Sequence, residues 1–286
     1  MHPNFPALSL AARTVRPRVL LAGYLAISLI MAPLNLSTWL MEQVYMPAYR
    51  LTHGLASPNL VVGPVGLALT LALICWPARL RLSDIGWKRS GVKSGAIAVF
   101  AIWAILQVVA VLTALASGAG LSLAPAWSTG DYSGIGRFLS QLFGTAPFEE
   151  SLFRGLLTVQ IFLLLSGRNP QHARRWVAVA ILGSALAFSV PHVPNRIINE
   201  SYTGVVSVLL DQAALIFAGS LFAWIYLTSG NLWLLIGFHA LVNTPTAVFA
   251  SPLDGNYQVI LVLSALVVFL LPWSRRAIAS RVAPGP

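Results

Sequence analysis

Pro147–Leu157 reads Pro-Phe-Glu-Glu-Ser-Leu-Phe-Arg-Gly-Leu-Leu, which puts two adjacent carboxylates and a guanidinium into a chain only 9% charged. If the stretch is helical, Glu150 and Arg154 lie four residues apart, share a face and can pair. Glu149 points about 100° away, so the arginine cannot serve both carboxylates equally. One glutamate is then committed to an ion pair and the other is left to take a proton, as a general base must. Ionisable groups at membrane depth are costly enough to make function the first hypothesis. The bland alternative is a charge cluster capping a helix edge.

The flanking sequence supplies the membrane. The chain has 286 residues, 57% of them hydrophobic, and a mean hydropathy of +0.77, a composition far from the roughly 25% charged residues of soluble domains. Apolar segments approaching the ~20 residues that cross ~30 Å of hydrocarbon fall near 19–41, 59–77, 94–121, 148–166, 176–192, 203–228, 231–249 and 257–273. This predicts an all-α polytopic membrane protein of about eight transmembrane helices around an intramembrane polar site. Segment 131–147 is weaker. It reads either as an amphipathic entry helix or as an extension of span four to some 30 tilted residues. The apolar run after Arg13, Arg16 and Arg18 lacks a convincing small-residue cleavage site and reads as a retained first span. Cys75 is the single cysteine, which excludes an intrachain disulfide and a cysteine-based zinc site.

Charge placement sets the topology. With the N-terminus inside, the inside segments hold every one of the 18 basic residues except Arg50, Arg137, Arg154 and Arg196, as the positive-inside rule requires. The formal charge of +10 is therefore a topology signal and not a nucleic-acid patch. The reading is an integral membrane protein, placed in the cytoplasmic membrane of a prokaryote.

Three more polar features lie in or beside the late spans. Phe188 and His192 are four residues apart at the end of span five, His239 and Asn243 share a face of span seven, and Asp211 with Gln212 interrupts span six. Taken singly, each is often an interhelical hydrogen-bonding residue, and Asp211 reads as structural. At ~1.5 Å per residue, Glu149 and His192 both lie some 25 Å from the inside ends of their spans. His239 and Asn243 come only about 12 and 18 Å along theirs. Span seven must therefore tilt or start deep, with a recessed Ser229–Asn231 turn, and the mouth should face away from the basic loops.

Together the motifs carry a resemblance. Glu-Glu-x-x-x-Arg at Glu149, Glu150 and Arg154, Phe-x-x-x-His at Phe188 and His192, and His-x-x-x-Asn at His239 and Asn243 occur in order, each in a separate apolar span. The Phe-Arg-Gly-x-Leu continuation and the Thr-Ser-Gly-Asn-Leu-Trp turn agree. The chain resembles the CAAX protease and bacteriocin-processing family of intramembrane proteases, which includes type II CAAX prenyl endopeptidases and lysostaphin-resistance-protein-A-like proteins. The resemblance covers roughly 139–250. It implies a membrane-embedded endopeptidase in which Glu149 activates water with help from His192, His239 and Asn243 hold the oxyanion, and Glu150 and Arg154 orient and balance charge. Phe188 belongs to the supporting set. The implied organisation is N-terminal helices over 1–134, a catalytic core over 135–250, and a last helix with a basic tail over 251–286.

His-Glu-x-x-His and Gly-x-Ser-x-Gly are both missing from the sequence, so zincin and serine-hydrolase layouts find no match. Zinc held by Glu149, His192 and His239 is chemically open, since three N/O ligands plus water describe a catalytic zinc. The preferred reading needs no cofactor. The expected partners are the bilayer and a peptide or protein substrate, lipid-modified and membrane-anchored ones included. The competing classes are a non-catalytic scaffold or immunity/resistance factor on the same fold and, last, a transporter, for which no inverted repeat or paired broken helices speak.

Overall fold

In the computed structural model, four helical stretches are long and apolar enough to cross a membrane by length and composition: Pro17–Leu36, Leu82–Ala116, Ala173–Ile198 and Val205–Ser229, the second and third of them each interrupted by a short break. The structure describes residues 5–252 other than 11, 12, 119, 129–131, 168, 169, 200 and 245, and beyond them Val262 and Ser264. The expected last span at 257–273 and the basic tail therefore lie outside the described residues but for those two, as does Arg168. Among the described residues the protein is all helical apart from one isolated bridge between Leu123 and Phe249. The chain is an all-α membrane protein.

The elements that position the site are α1 (Pro17–Leu36), α2 (Asn59–Cys75), α3 (Ser90–Ala116), α4 (133–166), α5 (Ala173–Ser189), α6 (His192–Ile198), α7 (Val205–Ser229) and α8 (Leu232–Asn243). The weak segment resolves as an extension, because α4 runs unbroken from Ser133 to Ser166. It is not uniformly α-helical. Two π-helical stretches, Gln141–Thr145 and Glu150–Thr158, enclose a single α-turn, Ala146–Glu149. Pro147 has no N–H to donate there, and side chains take carbonyls in the widened turns. Ser151 Oγ donates to Pro147 O at 2.6 Å and Thr158 Oγ1 to Phe153 O at 2.9 Å. Widened turns of this kind recur at functional sites.

Every residue of Glu150–Thr158 is buried, because α4 stands between two apolar cores. Leu152, Phe153 and Leu156 pack with Leu20, Ile27, Val62 and Leu73 of α1 and α2. Val159 and Phe162 pack with Ile102, Phe222, Tyr226 and Leu235 of α3, α7 and α8. α2 runs in the same direction as α4, with Gly63 facing Gly144 and Gly66 facing Phe148. A methyl group at Gly63 or Gly144 would run into backbone, so both positions need glycine for the close helix approach common in membrane bundles.

Two expectations about span ends are corrected. Span five does not carry His192 as its last residue; α5 ends at Ser189, and His192 opens the short helix α6. Pro191 cannot donate to Ala187, which interrupts the ladder, and the Tyr24 hydroxyl takes the Ala187 carbonyl instead at 2.9 Å. Span seven does not reach 249; α8 ends at Asn243 after 12 residues, about 18 Å of rise. Its start is covered on the basic side. Gly230 meets Pro6 and Ala7, Asn231 Nδ2 donates to Gly91 O at 2.9 Å and Trp233 Nε1 to Lys88 O at 3.1 Å. The loop before α3 folds inward far enough for Trp87 Nε1 to donate to Ser151 Oγ at 2.9 Å. The Ser229–Asn231 turn is thus recessed beneath other chain, which brings His239 level with α4.

Candidate active site

The site begins with the two glutamates. Glu150 is fully buried, and its Oε1 accepts from Arg154 Nη1 at 3.0 Å across one turn. The same oxygen lies 2.6 Å from His239 Nδ1. A contact that short to a carboxylate requires the hydrogen on Nδ1. Glu150 therefore does more than balance Arg154, because it fixes the tautomer and ring plane of a histidine 89 positions away in the chain. Glu149, on the preceding position, has no such pairing. Its side chain is 13% exposed, and its Oε2 lies 3.5 Å from His239 Nε2.

Arg154 is 1% exposed, and aromatic faces complete its surroundings. Its guanidinium carbon sits 4.4 Å from the Phe188 ring centroid and 5.5 Å from that of Phe222. A desolvated cation over aromatic rings gains on the order of 2 kcal/mol. Phe188 also meets His192 at 4.8 Å between centroids, so one ring locates both the buried cation and the second histidine. Glu150 Oε2 and Arg154 Nη2 have no hydrogen-bond partner among the described residues, so the pair is held by one bond and by packing.

His192 owes its placement to the helix break. Its Nδ1 lies 2.8 Å from Phe188 O, a carbonyl that the interrupted helix leaves available. A carbonyl can only accept, so Nδ1 carries a hydrogen, and in the neutral ring Nε2 keeps its lone pair. On α8, Asn243 Nδ2 is 2.8 Å from His239 Nε2 and donates to Gln141 Oε1 at 3.0 Å.

Glu149, Phe188, His192, His239 and Asn243 line one cavity of about 460 Å³, with Gln141, Asn35, Asn59, Asn195 and Arg196 among the other walls. The structure thus brings all four sequence-selected catalytic candidates to a common space, with Glu150 and Arg154 behind it. Asn35 lies near the end of α1, Asn59 opens α2, Gln141 belongs to the first half of α4 and Asn243 ends α8. All lie at the end of the bundle opposite Arg13–Arg18, Arg79–Lys93 and Arg174–Arg175. A second, more apolar groove of about 450 Å³ adjoins the cavity, shares Glu149 and His192 with it, and is lined by Tyr24, Ile27, Leu29, Phe153 and Pro194. Asp211 stands apart from the glutamates. It lies 3.5 Å from Arg196 and accepts from the Tyr202 hydroxyl at 2.8 Å.

Sequence reading missed Gln141, Asn35, Asn59 and Asn195. For Gln141 a signal was present. Gln141, Thr145 and Glu149 recur every fourth residue, a polar stripe on one helix face. As placed, Glu149, His192 and His239 do not form a three-ligand cluster. Among the described residues there is no group of three or more His, Cys, Asp or Glu that could hold a metal. His239 Nδ1 is held by Glu150 and His192 Nδ1 by a carbonyl, the way metal-ligating histidines are usually oriented, which leaves Nε2 as the atom each would turn to a metal; no step is routed through one.

What the arrangement offers is a carboxylate with little pairing, two histidines of defined tautomer and two carboxamides around a polar chamber in an apolar bundle. Residues 131–245 match the family described as Rce1-like, type II CAAX prenyl endopeptidase Rce1-like. No curated protein and no solved structure matches the chain.

Proposed function

Residues 131–245 carry an Rce1-like domain, and on that premise we propose that this integral membrane protein is an endopeptidase using Glu149 and His192 to drive water onto a peptide bond. The observation that carries the reading is the convergence of Glu149, His192, His239 and Asn243 on one cavity. Glu149 takes a proton as the water oxygen attacks the carbonyl carbon, and the lone pair of His192 Nε2 orients that water. His239 and Asn243 face the developing oxyanion, where a donor in a water-poor site is worth about 3 kcal/mol. Glu150 holds His239 by Nδ1, and Arg154 neutralises Glu150. The mechanism runs on acid–base chemistry with no metal.

The adjoining apolar groove supports a substrate presented from the bilayer, lipid-modified or membrane-anchored, with its scissile bond in the polar chamber. The reading is tested by mass spectrometry of membrane-protein N- and C-termini in cells making the wild-type chain or Glu149→Ala. Termini that depend on Glu149 are expected. Identical profiles alongside full biological effect would assign the chain to the scaffold class.

The mouth belongs to the side away from the basic loops, since the cavity walls lie at that end. That sidedness favours exported or envelope substrates over cytoplasmic prenylated tails. In a Cys75→Ser background, single cysteines at Ser117 and Thr203 should label with an impermeant thiol reagent on intact cells, and one at Ser90 should not. All three positions are exposed. The reverse pattern would turn the mouth to the cytoplasm and bring prenylated C-termini to the front.

A further inference from the structure

We propose that Gln141 is a positioning residue that keeps the His239–Asn243 pair masked until a proton reaches His239. The proposal rests on the endopeptidase reading but is drawn from the hydrogen-bond bookkeeping of three side chains.

A carboxamide nitrogen has two hydrogens. One hydrogen of Asn243 Nδ2 goes to Gln141 Oε1 at 3.0 Å, and the other points to His239 Nε2 at 2.8 Å. His239 already carries its hydrogen on Nδ1, toward Glu150 at 2.6 Å, so neutral His239 offers Nε2 as an acceptor. Before reaction, then, Nε2 has no hydrogen to give and Asn243 has none to spare. An oxyanion arriving between them would meet no free donor.

Glu149 supplies what is missing. Its Oε2 lies 3.5 Å from His239 Nε2, which makes it the nearest carboxylate to that nitrogen. When water adds to the peptide carbonyl, its proton goes to Glu149 and on to Nε2, and the hydroxide oxygen bonds to carbon. Imidazolium Nε2–H then donates to the oxyanion. It can no longer accept from Asn243, whose second N–H turns to the same oxyanion. Collapse of the intermediate breaks the C–N bond, the leaving nitrogen takes the Nε2 proton, and neutral His239 and the Glu149 carboxylate return. The proton taken up equals the proton delivered, and the cluster with its oxyanion keeps the charge it had at the start.

Gln141 enters at the switch. While Asn243 exchanges one partner for another, its first hydrogen stays on Gln141 Oε1, so the side chain pivots about a fixed bond. Gln141 is well placed for this, being 9% exposed and seated in a π-helical stretch of α4 that faces α8. Loss of its acceptor leaves Asn243 free to rotate, and misplacement of about 1 Å at a reacting centre costs up to roughly 100-fold in rate.

The test is nitrogen NMR of the full-length chain in detergent, with 15N-labelled histidine and His239→Gln to assign the signals. In wild type, His239 should show a protonated Nδ1 and an unprotonated Nε2 that shifts in Gln141→Met, which removes the acceptor at similar size. In Gln141→Glu, which keeps an acceptor oxygen, Asn243 should stay anchored. A protonated Nε2 in the unreacted wild-type protein would overturn the proposal, as would a Gln141→Met spectrum identical to wild type. These readouts need no substrate, so they fail separately from the endopeptidase reading. With a cleaved membrane peptide in hand, Gln141→Met should lose roughly 10- to 100-fold in kcat with KM unchanged, and Gln141→Glu should recover part of it. A change confined to KM would place Gln141 in substrate binding instead.

Discussion

Glu149→Gln should lower turnover by about 10²–10⁴-fold, the usual contribution of a positioned general base, while the protein folds and inserts as before. The expectation follows from the contrast between the two glutamates. Glu149 faces the cavity, with its Oε2 3.5 Å from His239 Nε2, so an amide of nearly equal volume removes a proton acceptor and little packing. Its buried neighbour holds the structural contacts. The measurement pairs single-turnover cleavage of a reconstituted membrane peptide with thermal unfolding in detergent. An unfolding midpoint near wild type together with lost cleavage is the expected result. Retained turnover would remove Glu149 from the role of base and leave His239, oriented by Glu150, as the remaining candidate. Wild-type turnover should also survive chelation, and loss of activity together with a stoichiometric metal would overturn the metal-free mechanism.

Glu150→Ala should be as severe in a different currency, that of stability. It strands Arg154 in an apolar interior, and breaking one side of a buried pair costs about 3–5 kcal/mol. For a membrane domain this is enough to depress expression. Arg154→Ala strands Glu150 in turn and also vacates the space between Phe188 and Phe222. The paired variant Glu150→Gln with Arg154→Met removes both charges and should recover much of the lost stability, because neutral side chains of similar size carry no unpaired charge. It should not recover activity, because the carboxylate that fixes His239 Nδ1 at 2.6 Å has gone. Full activity in the paired variant would show that Glu150 serves the fold alone. Additive losses of stability would show that the two side chains are not coupled.

The class of the protein, the rough limits of its described apolar segments and the residues worth watching were legible along the chain, and the basic residues gave an expected orientation. All of these follow from local chemistry. Hydropathy over ~20 residues reads the bilayer, arginine and lysine counts read the side, and a four-residue spacing reads a shared helix face. The Glu150–Arg154 pair was legible for that reason, being contained in a single turn. Contacts between distant segments were not legible. Nothing local links Glu150 to His239, Gln141 to Asn243 or Trp87 to Ser151, and these pairs exist only once α4 and α8 pack side by side and the loop before α3 folds inward. Nor does spacing show that α4 widens into π-helix around the glutamates, or that Pro191 detaches His192 from α5 and hands it the Phe188 carbonyl. The identities of the reactive groups are written along the chain. Which nitrogen bears the hydrogen, which carboxylate is spoken for and where the cavity lies were decided by packing, because protonation, pairing and access depend on neighbours that only the folded bundle brings within 3 Å.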